Sequence, residues 1–299
     1  MAPASATSAS AADDDERSEQ HGQARRTEHP GRSEHPQQAG QARRTEHPGR
    51  TERALRLIAR LGGRYSSELG IDVDAGADDV DRWFLAATLF GTRIAATVAM
   101  RTFAVLDGAG IHRIADAGRR SWDELVALLD AGGYTRYDFR TATRLQQLAA
   151  VLEARFGGQA AAIGRCGLRP DELARTLDEL PGWGPVTVGL FLRELRGTWP
   201  AANPPIDQRA EWAARHLDLV PAQTTDVLAA VTTLAVRIGV DPRDLESALV
   251  RASLAHRLAS GRARAGRAQT GNGAAGRSSA GHDATSCAGG DQCWLVAAG

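Results

Sequence analysis

Between residues 51 and 258, apolar side chains recur every three or four positions in one segment after another, and period-two alternation is nearly absent. That spacing lays a stripe along one side of an α-helix and does not suit a half-buried strand. The punctuation agrees. In "SWDELVALLDAGG", Ser121 and Glu124 are spaced for a capping box. Leu125, Leu128 and Leu129 form the stripe, and Gly132 and Gly133 supply the stop. "RTATRLQQLAAVLEARFGG" sets Leu145, Leu148, Leu152 and Phe156 on one face before another glycine pair. "RPDELARTLDEL" places Pro170 at the first helical position with two acids in the first turn. "DDVDRWFLAATLFGT" is apolar on nearly every side, which predicts a buried helix. About nine or ten helices with short loops predict an all-α fold.

The flanks read differently. Residues 1–50 carry almost no large apolar side chains and repeat "GQARRTEHPGR" at 22–32 and 40–50. Such a stretch has nothing with which to build a core and is expected to be disordered. Residues 259–299, rich in Gly, Ala and Ser, are expected to be a second disordered tail. The foldable domain is therefore 51–258.

Charge excludes little and chemistry somewhat more. Basic and acidic residues number 36 each, so a strongly basic nucleic-acid footprint is absent. The chain contains no lysine, and so no lysine Schiff base can form. The three cysteines, Cys166, Cys287 and Cys293, cannot supply the four thiolates of an iron–sulfur cluster or a disulfide framework. Cys166 is expected to pack. The N-terminus lacks the basic and apolar regions of a signal peptide, and the longest apolar run is too short for a membrane span. The expectation is a cytoplasmic monomer.

Residues 180–187, "LPGWGPVT", interrupt two helices with a tight glycine turn. Pro185 suits the first turn of the following helix, and Gly182 and Gly184 can take positive φ and carry no Cβ. A glycine turn at a helix N-terminus exposes main-chain amides, an arrangement that binds anions such as a DNA phosphate. An αα-hairpin with glycine stops and no ligand is the alternative. Downstream, Asp207 opens the next helix, where it can be a catalytic carboxylate or an ordinary N-cap.

The string Leu-Pro-Gly-x-Gly, followed by Thr187 and an apolar helix, resembles the helix–hairpin–helix of the endonuclease III-like DNA glycosylases. The resemblance spans about residues 78–256 and is strongest over 180–217. It implies two helical lobes: a six-helix barrel over about 78–190, and a lobe from the N-terminal helix and the helices after Asp207. It implies double-stranded DNA as partner in a nucleoid-associated protein, with the hairpin 170–196 on the backbone. Gly182, Trp183, Gly184 and Thr187 would form the grip, with a monovalent ion possible at the hairpin backbone. Asp207 would be the carboxylate beside C1′ of a flipped nucleotide.

The family's bifunctional members carry a lysine at the position of Val186, so this chain resembles a monofunctional N-glycosylase. The iron–sulfur loop is not matched, and no cluster or other cofactor is expected. Tyr134, Arg136 and Tyr137, in a Gly-x-Tyr segment, are candidates for a base pocket or DNA contact; the alternative is an amphipathic loop whose tyrosines pack on the helix ends. Thr92 and Arg93 occupy the segment that in the family fills the vacated duplex. Trp183 can pack under the turn or wedge near DNA, and His216 is expected to face its helix dipole or pack. The alternative function is a non-catalytic helix–hairpin–helix DNA-binding module.

Overall fold

The computed structural model describes residues 48–91, 94–269, 287 and 289–297. Within them the chain is all-α: twelve α-helices, two short 3-10 turns and no strand. The order is α1 (Pro48–Leu61), α2 (Tyr65–Glu68), α3 (Ala77–Phe90), α4 (Ala96–Gly108), α5 (Ile114–Gly118), α6 (Trp122–Ala131) and α7 (Asp138–Phe156), then the 3-10 turn Ala160–Arg165. It continues with α8 (Pro170–Asp178), α9 (Pro185–Glu194), α10 (Gln208–His216), α11 (Val227–Arg237) and α12 (Pro242–Gln269). No described helix is long and apolar enough to cross a membrane.

The local signals act as their chemistry dictates. The Ser121 hydroxyl accepts from the Glu124 amide at 3.2 Å, and the Glu124 carboxylate accepts from the Ser121 amide at 2.9 Å, which starts α6. Left-handed Gly157 and Gly158 end α7. The helix α3 is buried almost all round, from Val80 to Leu89. It also buries an acid. Asp81 accepts from the Ala161 amide at 2.7 Å and so fixes the 3-10 turn, while burial pushes its carboxyl up.

Apolar side chains gather in two clusters. The first takes buried residues from Tyr65 to Ala202, from α2 to α9 and the loop that follows. The second takes α1, α10, α11 and α12, together with Cys293, Leu295 and Val296. The join between them is polar. On the side of the first cluster, the fully buried Glu194 carboxylate accepts from the amides of Tyr65 and Ser66 at 3.0 Å each. Arg243 on α12 reaches Asp74 at 2.9 Å and the Glu194 carbonyl at 3.1 Å. Its hydrogen bond holds the Asp74 carboxyl at about 2, well below the usual range. Arg64 adds ion pairs to Asp244 and Asp241.

The C-terminal expectation needs correction. The helix α12 runs to Gln269, and residues 289–297 fold back onto the second core instead of trailing away. Arg60 donates to the Trp294 carbonyl at 2.7 Å and Arg56 to that of Val296 at 3.2 Å. The physical reason is local: Trp294, Leu295 and Val296 concentrate apolar surface that the average composition of forty residues conceals. Of the N-terminal tail, all but residues 48–50 lies outside the described residues, and those three already belong to α1.

Candidate nucleic-acid interface and cleft

The helices α8 and α9 meet at the glycine turn. Gly182 has φ +82°, the left-handed region that favours glycine. Gly184, expected to share it, is extended at φ −164° and caps α9; a Cβ there would meet open space. The turn therefore needs one glycine for its backbone. Among the described residues no acceptor takes the amides of Gly182, Gly184, Val186 or Thr187, whereas the Trp183 amide is spent on the Leu180 carbonyl at 3.0 Å. Four open amides at a helix N-terminus form a site for a negative group.

The side chains behind the turn face inward. Trp183 is buried, stacks on Phe84 at 4.3 Å, and donates its indole N–H to the Thr88 hydroxyl at 3.1 Å. It props the turn from beneath and touches no ligand with its ring. The Thr187 side chain is also buried, directed at Gly91 behind the C-terminus of α3. Of these two residues only Thr187 keeps an open amide. A cation stands beside the turn: a Cβ on Gly182 would lie 2.7 Å from Arg144 Cδ. Arg140 and Arg144 sit one turn apart on α7, and neither makes an ion pair or hydrogen bond among the described residues.

The start of α9 opens into a cleft of about 1530 Å³, lined by Pro185, Val186, Gly189, Asp207, Arg209 and Trp212 among others. Asp207 caps α10: its Oδ1 accepts from the Arg209 amide at 2.7 Å, and its Oδ2 lies 3.8 Å from the Arg209 guanidinium. Asp207 lines the cleft while it caps α10: Arg209 engages both oxygens, one through its amide and the other through its guanidinium, and the side chain stays partly exposed. Beneath it lies Glu246, buried and paired with Arg196 at 3.2 Å. Burial pushes the Glu246 carboxyl up against the pull of Arg196 and Arg193. Val186 is largely exposed on the same cleft wall and presents an apolar side chain there. Trp212 exposes part of its ring there and stacks on His216 at 4.7 Å.

The remaining candidates do not converge on this cleft. Tyr134 is fully buried and donates its hydroxyl to the Leu89 carbonyl at 2.6 Å, so it is a core residue and cannot stack on a base. Arg136 lies over the Tyr137 ring at 5.4 Å on the outer surface, and neither lines the cleft. Cys166 is exposed where packing was expected. Thr92 and Arg93 lie outside the described residues.

Several groups that matter here are not among the sequence-derived candidates. For Arg144 the available signal is the pair of arginines at i and i+4 with no acid to match them. Trp212 had a signal in its position five residues after Asp207, on the exposed turn of a short helix. Glu246 had none, since its burial depends on helices far apart in the chain. No family model matches the chain, and no curated protein matches it.

Proposed function

We propose that the chain binds double-stranded DNA through the 180–187 turn and hydrolyses the N-glycosidic bond of an extruded base. In this reading it is a monofunctional member of the helix–hairpin–helix glycosylase type. The observation that carries the proposal is the meeting of two features at one cleft: the first turn of α9, whose Pro185 and Val186 line it next to the open amides of the turn, and the Asp207 carboxylate at the first turn of α10. The amides and Arg144 take a backbone phosphate. The division of the apolar core into two clusters, joined by polar contacts, supports the two-lobed arrangement that the resemblance implies.

The chemistry follows from the groups present. As the bond from C1′ to the base nitrogen breaks, the electron pair leaves with the base and positive charge grows on the sugar. In this reading the Asp207 carboxylate, with Oδ2 3.8 Å from the Arg209 guanidinium, faces that charge within the cleft. A water oxygen then bonds to C1′ and gives up a proton to the carboxylate. Exposed Trp212 offers a stacking face to the displaced base. Without lysine in the chain, water replaces an amine as nucleophile and an abasic site remains.

The second reading, a DNA-binding module without catalysis, draws support from the Arg209 contacts to both Asp207 oxygens. One substitution separates the two. Asp207→Asn keeps the cap, since Asn caps as well as Asp, so fold and DNA affinity should stay. Base release from a panel of lesion-bearing duplexes should fall by about 10²–10³-fold. Release unaffected by the substitution refutes the catalytic role. Binding without release from any lesion leaves the module, and no DNA binding at all overturns both.

A further inference from the structure

On the cleft that Asp207 also lines, three segments of the chain converge on one point. His216 ends α10, His256 lies on α12, and Cys287 and Cys293 come from the C-terminal segment. One donor atom from each of the four lies within 4.8 Å of the other three. His256 Nε2 is 3.2 Å from Cys293 Sγ. His216 Nε2 is buried and has no hydrogen-bond partner, a costly arrangement for a ring nitrogen unless something fills it. From this convergence we infer that the chain holds a structural zinc ion in a site made of two thiolates and two imidazoles.

The donor set selects the metal. Two thiolates with two imidazoles in a closed group suit Zn²⁺, whereas hard cations take oxygen ligands. A tetrahedral Zn²⁺, with sulfur at about 2.3 Å and nitrogen at about 2.0–2.1 Å, sets its ligands roughly 3.3–3.8 Å apart. The four donors therefore need to draw in by only about an ångström. Binding releases the two thiol protons to solvent and forms two Zn–S and two Zn–N bonds, with no change of oxidation state.

The surroundings favour a cation. The carbonyl end of α10 faces the site, which suits positive charge. Gly289 packs on the His216 carbonyl so closely that any Cβ would collide with it. The Trp212 ring covers His216 and meets His256 edge-on at 5.3 Å, while Trp294 lies 5.6 Å from His256. These ring contacts fix the imidazole planes. All four coordination positions are filled by protein, so the ion is a staple for the C-terminal segment and takes no part in hydrolysis. The inference is independent of the DNA reading.

Full-length protein, produced with zinc and kept reduced, should contain about one zinc per chain by elemental analysis. Stripped with chelator and refilled with Co²⁺, it should show a thiolate-to-cobalt charge-transfer band and the intense visible bands of tetrahedral cobalt. Cys287→Ser and His216→Gln should each lose the metal, and Cys166→Ser should keep it. Because Cys287 is only half-buried, its serine variant should stay helical by circular dichroism, which separates loss of the ion from failure to fold. Zinc far below stoichiometry in reduced protein overturns the inference. So does a cobalt spectrum without the thiolate band. A Cys287–Cys293 disulfide that persists in protein made and purified under reducing conditions, and keeps zinc out, overturns it as well.

Discussion

The glycine turn and the C-terminal segment both border the same cleft, and they are built in opposite ways. The turn is local. Two consecutive helices and the six residues between them make it, and its working parts are main-chain amides held open by one left-handed glycine. The C-terminal segment is assembled from afar. Its apolar residues seat against α1, its cysteines meet histidines from α10 and α12, and Arg56 and Arg60 hold its carbonyls. A local device is stable as soon as its two helices pack, so substitutions in it can alter binding without touching the fold. A non-local device contributes stability, and substitutions in it alter the fold first.

Four experiments press on that contrast. The largest effect is expected at Leu295, which is 1% exposed in the second core. Leu295→Ala should cost about 2–4 kcal/mol in urea unfolding, with DNA affinity per folded molecule unchanged. An equal loss of affinity would mean that the segment acts on the turn.

Next is Gly184, where a side chain has open space. Gly184→Asp should weaken DNA binding at least about tenfold by placing a carboxylate among the open amides, while Gly184→Ala should bind as the parent does. Normal binding by the aspartate variant in a fluorescence titration would remove the turn from the interface. Arg144→Ala should cost a few-fold in affinity and lower the slope of log K against log salt by about one.

The smallest effect belongs to the join between the cores. The folded-state carboxyl of Asp74 lies at about 2 because of its hydrogen bond to Arg243. Its contribution to stability is full above the ordinary aspartate range near 3.8 and fades as pH falls through about 2. The melting temperature of Asp74→Asn should therefore converge on that of the parent across this window. Parallel curves would assign the bond no role.

The comparison also explains what could be read in advance. The helices, their caps and the turn were legible because each depends on residues within a few positions of one another: Ser121 with Glu124, Gly182 with Pro185. Asp207 was legible as a residue with two roles, and the structure gives it a cap and a place in the cleft together. Tyr134 was open to two readings, base contact or packed ring, and it is packed: its hydroxyl reaches under α3 to the Leu89 carbonyl. The C-terminal segment was hidden because a short apolar triplet in a Gly-rich stretch has no periodicity, and its partners lie in three distant helices. Gly182 and Gly184 could both take positive φ, but only one left-handed residue is needed to reverse the chain.

The two cores also differ in when they can form as the chain is synthesised. The first is contiguous, and its last buried member is Ala202. It can condense while the remainder is still emerging, because its contacts are comparatively near in sequence. The second needs α1, the earliest helix described, together with residues as late as Val296. Its N-terminal helix must wait, with an apolar face exposed, until almost the whole chain has emerged. A ribosome stalled shortly after α9 would thus carry a finished first half and an unpaired α1. That orphaned helix is where a chaperone would be expected to bind.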